Sequence, residues 1–171
     1  GASDIVALMT LEHQTRMVNL RIRTGWEARI ADPAAKPQLD KDIESLVTYM
    51  LFADEASLHG KVQGVSTFTK TFPERGPRDR QGRSLRDFDL QRRLFRYPLS
   101  YMIYSEAFDG MPETVRAQVY RRLYDVLTSR ETSDKFKRLS QEDRRAVLEI
   151  LRDTKPGLPA YFMADTASAE R

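Results

Sequence analysis

Residues 4–31 read DIVALMTLEHQTRMVNLRIRTGWEARIA. Apolar or neutral side chains return at Ile5, Leu8, Leu11, Thr15, Val18 and Ile22, which is the period of a helix with one inward face. Ser3 is placed to cap this helix, and Asp4 suits a first turn whose dipole favours negative charge. Gly25 weakens the helix late, and Asp32-Pro33 ends it. The same period recurs down the chain. A second helix is expected over Asp40–Ala56, with Ile43, Leu46, Val47, Met50 and Leu51 on one face, after a short linker from Pro33 to Pro37. Helical character returns near Leu85 or Leu90 and runs to Tyr97, before Pro98 kinks it or starts a new element. Leu99–Phe108 carries Tyr101, Met102, Ile103, Tyr104 and Phe108 and should be the most buried stretch. Asp109-Gly110 turns the chain, and Pro112 opens a helix that points Val115, Val119, Leu123 and Val126 inward. The last helix starts at Ser140, with an acid three residues on resembling a capping box, and presents Val147, Leu148, Ile150 and Leu151. No internal repeat or strand pair stands out. The fold expected is all-α, a bundle of about five or six helices, with a long Arg-rich loop between the second and third.

At 171 residues and 19.8 kDa the chain suits one helical domain over residues 1–171 with a sizeable core. Its 40% hydrophobic and 31% charged residues fit an ordered protein rather than a disordered one. There is no cysteine, which excludes disulfides, thiolate metal sites and a covalently attached CxxCH haem within this sequence. No run of 18 apolar residues exists to span a membrane. The start, Gly1-Ala2-Ser3-Asp4-Ile5, reads as a processed end of a fragment of a longer chain. The polar residues 164–171 read as a frayed tail.

The charge is concentrated. Glu74–Tyr97, ERGPRDRQGRSLRDFDLQRRLFRY, holds eight arginines against Glu74, Asp79, Asp87 and Asp89, a net +4 where the whole chain carries +3. It lies in and just beyond a long loop, residues 57–89, punctuated by glycine and proline. Arginine presents a planar fork to carboxylates and phosphates. One reading makes Arg75, Arg78, Arg80, Arg83 and Arg86 a site for an anion or an acidic partner. The other pairs Arg86, Arg92, Arg93 and Arg96 with Asp87, Asp89 and helix C-termini, so that the run clamps its own loop.

His13 and Met17 lie one helical turn apart. Both residue types are axial haem ligands, and His13 with Met17 is the candidate pair; the alternative is an ordinary packed histidine. His59 has no companion at metal-ligand spacing. Tyr97, Tyr101, Tyr104, Phe108, Tyr120 and Tyr124 fall at helical spacing, which favours core packing over stacking on bases. No phosphate loop, dinucleotide fingerprint, nucleophile elbow, zinc-protease motif or calcium loop is present, and no DNA-binding motif appears, so nucleic acid is not an expected partner.

The run RGPRDRQGRSLRDFDLQRRLFRYPLSYMIYSEAFD, then VYRRLYDVLT, then LSQEDRRAVLEILRDTKPGLPAY, resembles the C-terminal region of an uncharacterised family of long bacterial secreted proteins, and SDIVALMTLEHQTRMVNL is similar to the start of that region. The resemblance covers nearly the whole chain. It implies export, a periplasmic setting and an association with cytochrome-like redox proteins of the cell envelope, and it brings no catalytic residues. The expectation is therefore a non-catalytic interaction or assembly domain, with no cofactor of its own, whose partner is the rest of the parent chain or an envelope protein. The alternatives are a haem-binding or electron-transfer domain using His13, and phosphate or nucleic-acid binding through the Arg loop.

Overall fold

The protein is described by a computed structural model that covers residues 4–29 and 36–164. Asp4 caps the first helix: its carboxylate accepts from the backbone N–H of Val6 at 2.9 Å and of Ala7 at 3.3 Å, satisfying donors that a helix start leaves open. Helix α1 then runs Ile5–Glu27. Ser3, the expected cap, and most of the proline-bracketed linker lie outside the described residues. Pro37 instead sits in the first turn of α2, Lys36–Met50, where its missing N–H breaks no helical bond. Helix α2 starts and stops earlier than the period suggests. Phe52 takes a left-handed φ of 52° and Ala53 N–H bonds back to Thr48 O at 3.1 Å, which closes the helix in a Schellman-type cap.

Arg23 pairs with Asp42 while His13 stacks on Tyr49 and Phe52, so α1 and α2 run antiparallel. A short helix α3, Phe68–Glu74, falls within the expected loop 57–89 and packs on α1. After a single 3₁₀ turn, Tyr101–Tyr104, come α4, Glu106–Asp109, and α5, Glu113–Leu127, which packs on α2. Helix α6, Gln141–Thr154, is capped by the Ser140 hydroxyl accepting from Asp143 N–H, and packs on α5. The fold is an all-α bundle with six helices among the described residues, five of them at least seven residues long.

The helix expected near 85–97 does not form. Asp89 accepts from the backbone N–H of Gln91 and Arg92. Such local bonds take the donors that a helical ladder needs. The chain instead doubles back, with Phe88 opposite Phe95 in an isolated antiparallel bridge and Leu90 at a left-handed φ of 59°.

One contiguous core joins all of this. Val115, Val119, Leu123 and Val126 of α5 and Val147, Leu148, Ile150 and Leu151 of α6 are buried in it, as expected. Leu99, Tyr101, Ile103 and Phe108 are buried too, whereas Met102 and Tyr104 of that stretch are half-buried and Glu106 is exposed. Helix α1 differs. It turns Val6, Thr10, His13, Met17 and Thr24 inward, and leaves Ile5, Leu8, Leu11 and Ile22 about half exposed on the opposite side. The stripe read as its core face is its outer face.

Candidate functional site

Three places concentrate the chemistry: the arginine-rich segment, the cavity around His13, and the outer face of α1.

In the arginine segment the candidates separate. Arg78 reaches Asp87 at 3.1 Å and donates to Gly82 O and Pro73 O, locking its own loop. Arg80 reaches across to Asp153 of α6 at 2.6 Å; this fork is well exposed, yet its hydrogen bonds hold the Asp153 carboxyl down at about 2. Arg83 is the most enclosed of the clamps. It bonds both Asp79 and Glu149 at 2.7 Å, and the Asp79 side chain is fully buried beneath it. Arg93 adds a fork to Asp143 at 2.6 Å. Three guanidinium groups thus fasten an irregular segment to α6, on acids at positions 143, 149 and 153.

Among the described residues, Arg75, Arg86 and Arg96 make no ion pair. Arg96 stacks on Tyr97 and is exposed. Arg86, expected by the clamping reading to meet an aspartate, lies between two aromatic rings instead. The segment also borders a groove of about 910 Å³ between the end of α2, residues 88–98 and α6. Arginines and carboxylates alternate along that groove, and most of them are already paired with one another.

His13 lies on the inner face of α1, 4% exposed, against Tyr49, Phe52, Phe95 and Tyr101. Its Nε2 is 2.7 Å from Ser100 Oγ. That hydroxyl also accepts from Met102 N–H at 3.2 Å. Burial holds its pKa down at about 4, so the ring is neutral at pH 7. A histidine–serine hydrogen bond is the pair of nucleophilic catalysis, but Ser100 is 0% exposed and offers a substrate no approach. Met17 packs in the hydrophobic core at 3% exposure. The two candidate haem ligands therefore share the inner face of α1, with the histidine Nε2 already engaged.

Beside His13 opens a cavity of about 460 Å³, lined in part by Glu12, Arg16, Tyr49, Phe52 and Glu55. Glu55 has its pKa raised, chiefly by burial; Arg93 counters this and Glu12 adds to it. Arg16 covers the Tyr49 ring at 4.7 Å, and burial lifts the Tyr49 hydroxyl to about 12. Among the described residues no three His, Asp or Glu side chains gather as a metal site, and no helix is long and apolar enough to cross a membrane.

The outer face of α1 carries Ile5, Leu8, Leu11 and Ile22 at 48–57% exposure, and ends at Trp26, 65% exposed. Trp26 is the only tryptophan in the chain. Scattered exposed apolar residues are ordinary; these lie on one side of one helix, with the exposed Thr15 and Asn19 between Leu11 and Ile22.

The chain has no match among family models, among curated proteins or among solved structures. Sequence reading missed the α1 face, the role of Phe52 and the Ser100–His13 bond. The face left a signal, an apolar stripe on each side of one helix. The Ser100 bond, spanning 87 residues, left none.

Proposed function

We propose that this chain is a non-catalytic helical interaction domain of an exported bacterial protein, and that α1 packs its outer face against an amphipathic helix of the same parent protein. The observation that carries this reading is the line Ile5, Leu8, Leu11, Ile22 and Trp26, which no other described element covers. Helix α1 has 23 residues, about 35 Å at 1.5 Å per residue, long enough for a full helix–helix contact. The rim selects the occupant. Arg16, Arg23 and Arg29 are exposed beside it, Arg23 already paired with Asp42, against Glu12 and the half-buried Glu27. A helix with an apolar face and acidic flanks is the complement. The exported setting and the tie to an envelope redox system rest on the resemblance of the arginine-rich and C-terminal motifs.

Trp26 reports the contact directly. In the isolated chain, acrylamide should quench its fluorescence freely. In the protein purified from its native source, with a Trp26→Phe version to subtract other tryptophans, Trp26 should be protected, and Leu11→Glu should restore quenching without changing the melting temperature of the isolated chain. Equal quenching in both forms would overturn the proposal. Protection that grows with the concentration of the isolated chain would replace the parent helix by a second copy.

A further inference from the structure

The cavity beside His13 combines an apolar wall with charges that the fold leaves unmatched. Its volume of about 460 Å³ lies in the range of small-molecule sites, and Tyr49, Phe52 and Leu94 give it aromatic and aliphatic faces. Phe52 holds its left-handed φ of 52° at a steric cost, and that turn after α2 sets its ring 4.8 Å from the His13 ring. Glu55 follows on the same turn with its backbone tied on both sides. Its N–H donates to Phe52 O at 3.2 Å, and its carbonyl accepts from Arg138 at 2.8 Å. Its carboxylate, on a half-buried residue of the cavity wall, has no hydrogen bond or ion pair among the described residues. Glu12 of α1 and Asp54 stand in the same wall and are likewise without a cation there. Of the wall's two cations, Lys135 is held by Glu44 at 3.2 Å, and Arg16 lies over the Tyr49 ring at 4.7 Å. Three carboxylates thus stand against one uncommitted guanidinium. His13, 4% exposed and part of the same wall, gives a second and separate sign of an occupant: Nε2 is taken by Ser100, and Nδ1 has no partner among the described residues.

A carboxylate set into an apolar wall without a counter-charge is costly, and an occupant that brings the cation offsets that cost. Three carboxylates repel an anion, and a neutral hydrocarbon would leave both them and the histidine nitrogen unbonded. We propose that this cavity binds a small organic cation, a primary amine with an aromatic or aliphatic body, whose ammonium is held by Glu12 and Glu55. An ammonium carries three N–H donors and no acceptor, which suits a wall rich in carboxylate oxygens, and the body lies against Phe52 and Leu94. Burial raises the Glu55 pKa, Arg93 opposes this and Glu12 adds to it, the balance of an acid whose counter-charge is missing. The competing explanation is that Arg16 neutralises these acids itself. Arg16 sits one helical turn after Glu12, yet it covers the Tyr49 ring and makes no ion pair with either glutamate.

The test is thermal unfolding of the full 171-residue chain, titrated at constant ionic strength with benzylamine, benzoate and phenylalanine, which share a ring and differ in charge. Benzylamine should raise the melting temperature saturably and benzoate should not. Glu12→Gln alters an exposed side chain and should leave the fold intact, yet weaken benzylamine about tenfold, the loss of one charge-assisted contact. Glu55→Gln keeps the shape and removes the charge. It should weaken benzylamine by at least as much while leaving the melting temperature of the unliganded chain no lower, because the carboxylate it replaces bonds nothing in the fold. Tighter binding of phenylalanine than of benzylamine would replace the cation by a zwitterion that also uses Arg16, and so overturn the assignment. An absent benzylamine response, an equal response to benzoate, or unchanged midpoints in both glutamine variants would overturn it as well.

Discussion

His13 should make the fold acid-sensitive in a pH range where its carboxylates do not. In the unfolded chain the imidazole takes a proton near its ordinary value of 6.5, whereas burial against Tyr49, Phe52, Phe95 and Tyr101 delays this to about 4 in the folded protein. Because the folded value is the lower one, the unfolded state binds more protons between the two, and stability falls as pH falls through that window. At about 1.36 kcal/mol for each pH unit, the full loss reaches about 3 kcal/mol, and about 2 kcal/mol of it accrues between roughly pH 7 and pH 5. Neighbouring groups act elsewhere or in the opposite sense. Glu55 has a raised pKa, so it favours the fold as pH falls. Glu131, whose carboxylate is held at about 2 by the Ser133 N–H and by Arg122, loses its contribution only below its ordinary range. Urea unfolding of the native chain and of His13→Gln, compared at pH 7 and pH 5, isolates the histidine, since glutamine keeps a hydrogen-bonding group toward Ser100 and does not titrate. The native chain should lose about 2 kcal/mol more than the variant. Equal losses in the two proteins, or an NMR titration placing the folded His13 near 6.5, would refute the reasoning.

Two substitutions probe the clamps and the backbone. Arg83→Ala should cost about 3 kcal/mol in urea unfolding, because it leaves the fully buried Asp79 carboxylate without its counter-charge, whereas Arg80→Ala, which removes a side chain 88% exposed, should change stability little. If the two variants prove equally stable, Arg83 is not a structural clamp. Ser129 closes α5 with a left-handed φ of 60°, so Ser129→Gly should raise stability by about 1 kcal/mol, less the hydrogen bond its hydroxyl donates to Gln141; a loss of stability in the same unfolding assay would contradict this.

The apolar faces of α5 and α6 were legible because each has a polar opposite face, so the 3.6-residue period admits one solution. Helix α1 admits two. Ile5, Leu8, Leu11 and Ile22 make the more hydrophobic stripe, but Val6, Thr10, His13 and Met17 are the residues buried, His13 against Tyr49 of α2. The period locates both stripes without ranking them, and tertiary packing made the choice. Residues 85–97 misled for a different reason. Leu85, Leu90, Leu94 and the arginines are good helix formers, but Asp89 bonds the local backbone at Gln91 and Arg92 first. Within the candidate site, the alternation of acid and arginine revealed that the segment could clamp itself, as Arg78–Asp87 and Arg92–Asp89 do. The stronger partners, Asp143, Glu149 and Asp153, lie 50 to 73 residues away, a distance that no local pattern spans.

The basic composition follows from this architecture more than from any partner. Where the backbone is helical it satisfies its own carbonyls; where it is irregular, arginine does so. Arg144, buried at 7% exposure, donates to the carbonyls of Val126, Phe136 and Leu139 and so knits together the turn between α5 and α6. Arg152 does the same for Phe162 and Ala164, and Arg138 for Glu55. A guanidinium brings five donors and no acceptor, which suits a chain whose irregular segments leave carbonyls without ladder partners. Each such arginine is then committed, its charge directed inward. A nucleic-acid surface requires the reverse, many free cations spread over one face. Within the arginine-rich segment the exceptions are Arg75, Arg86 and Arg96, which pair with no acid among the described residues.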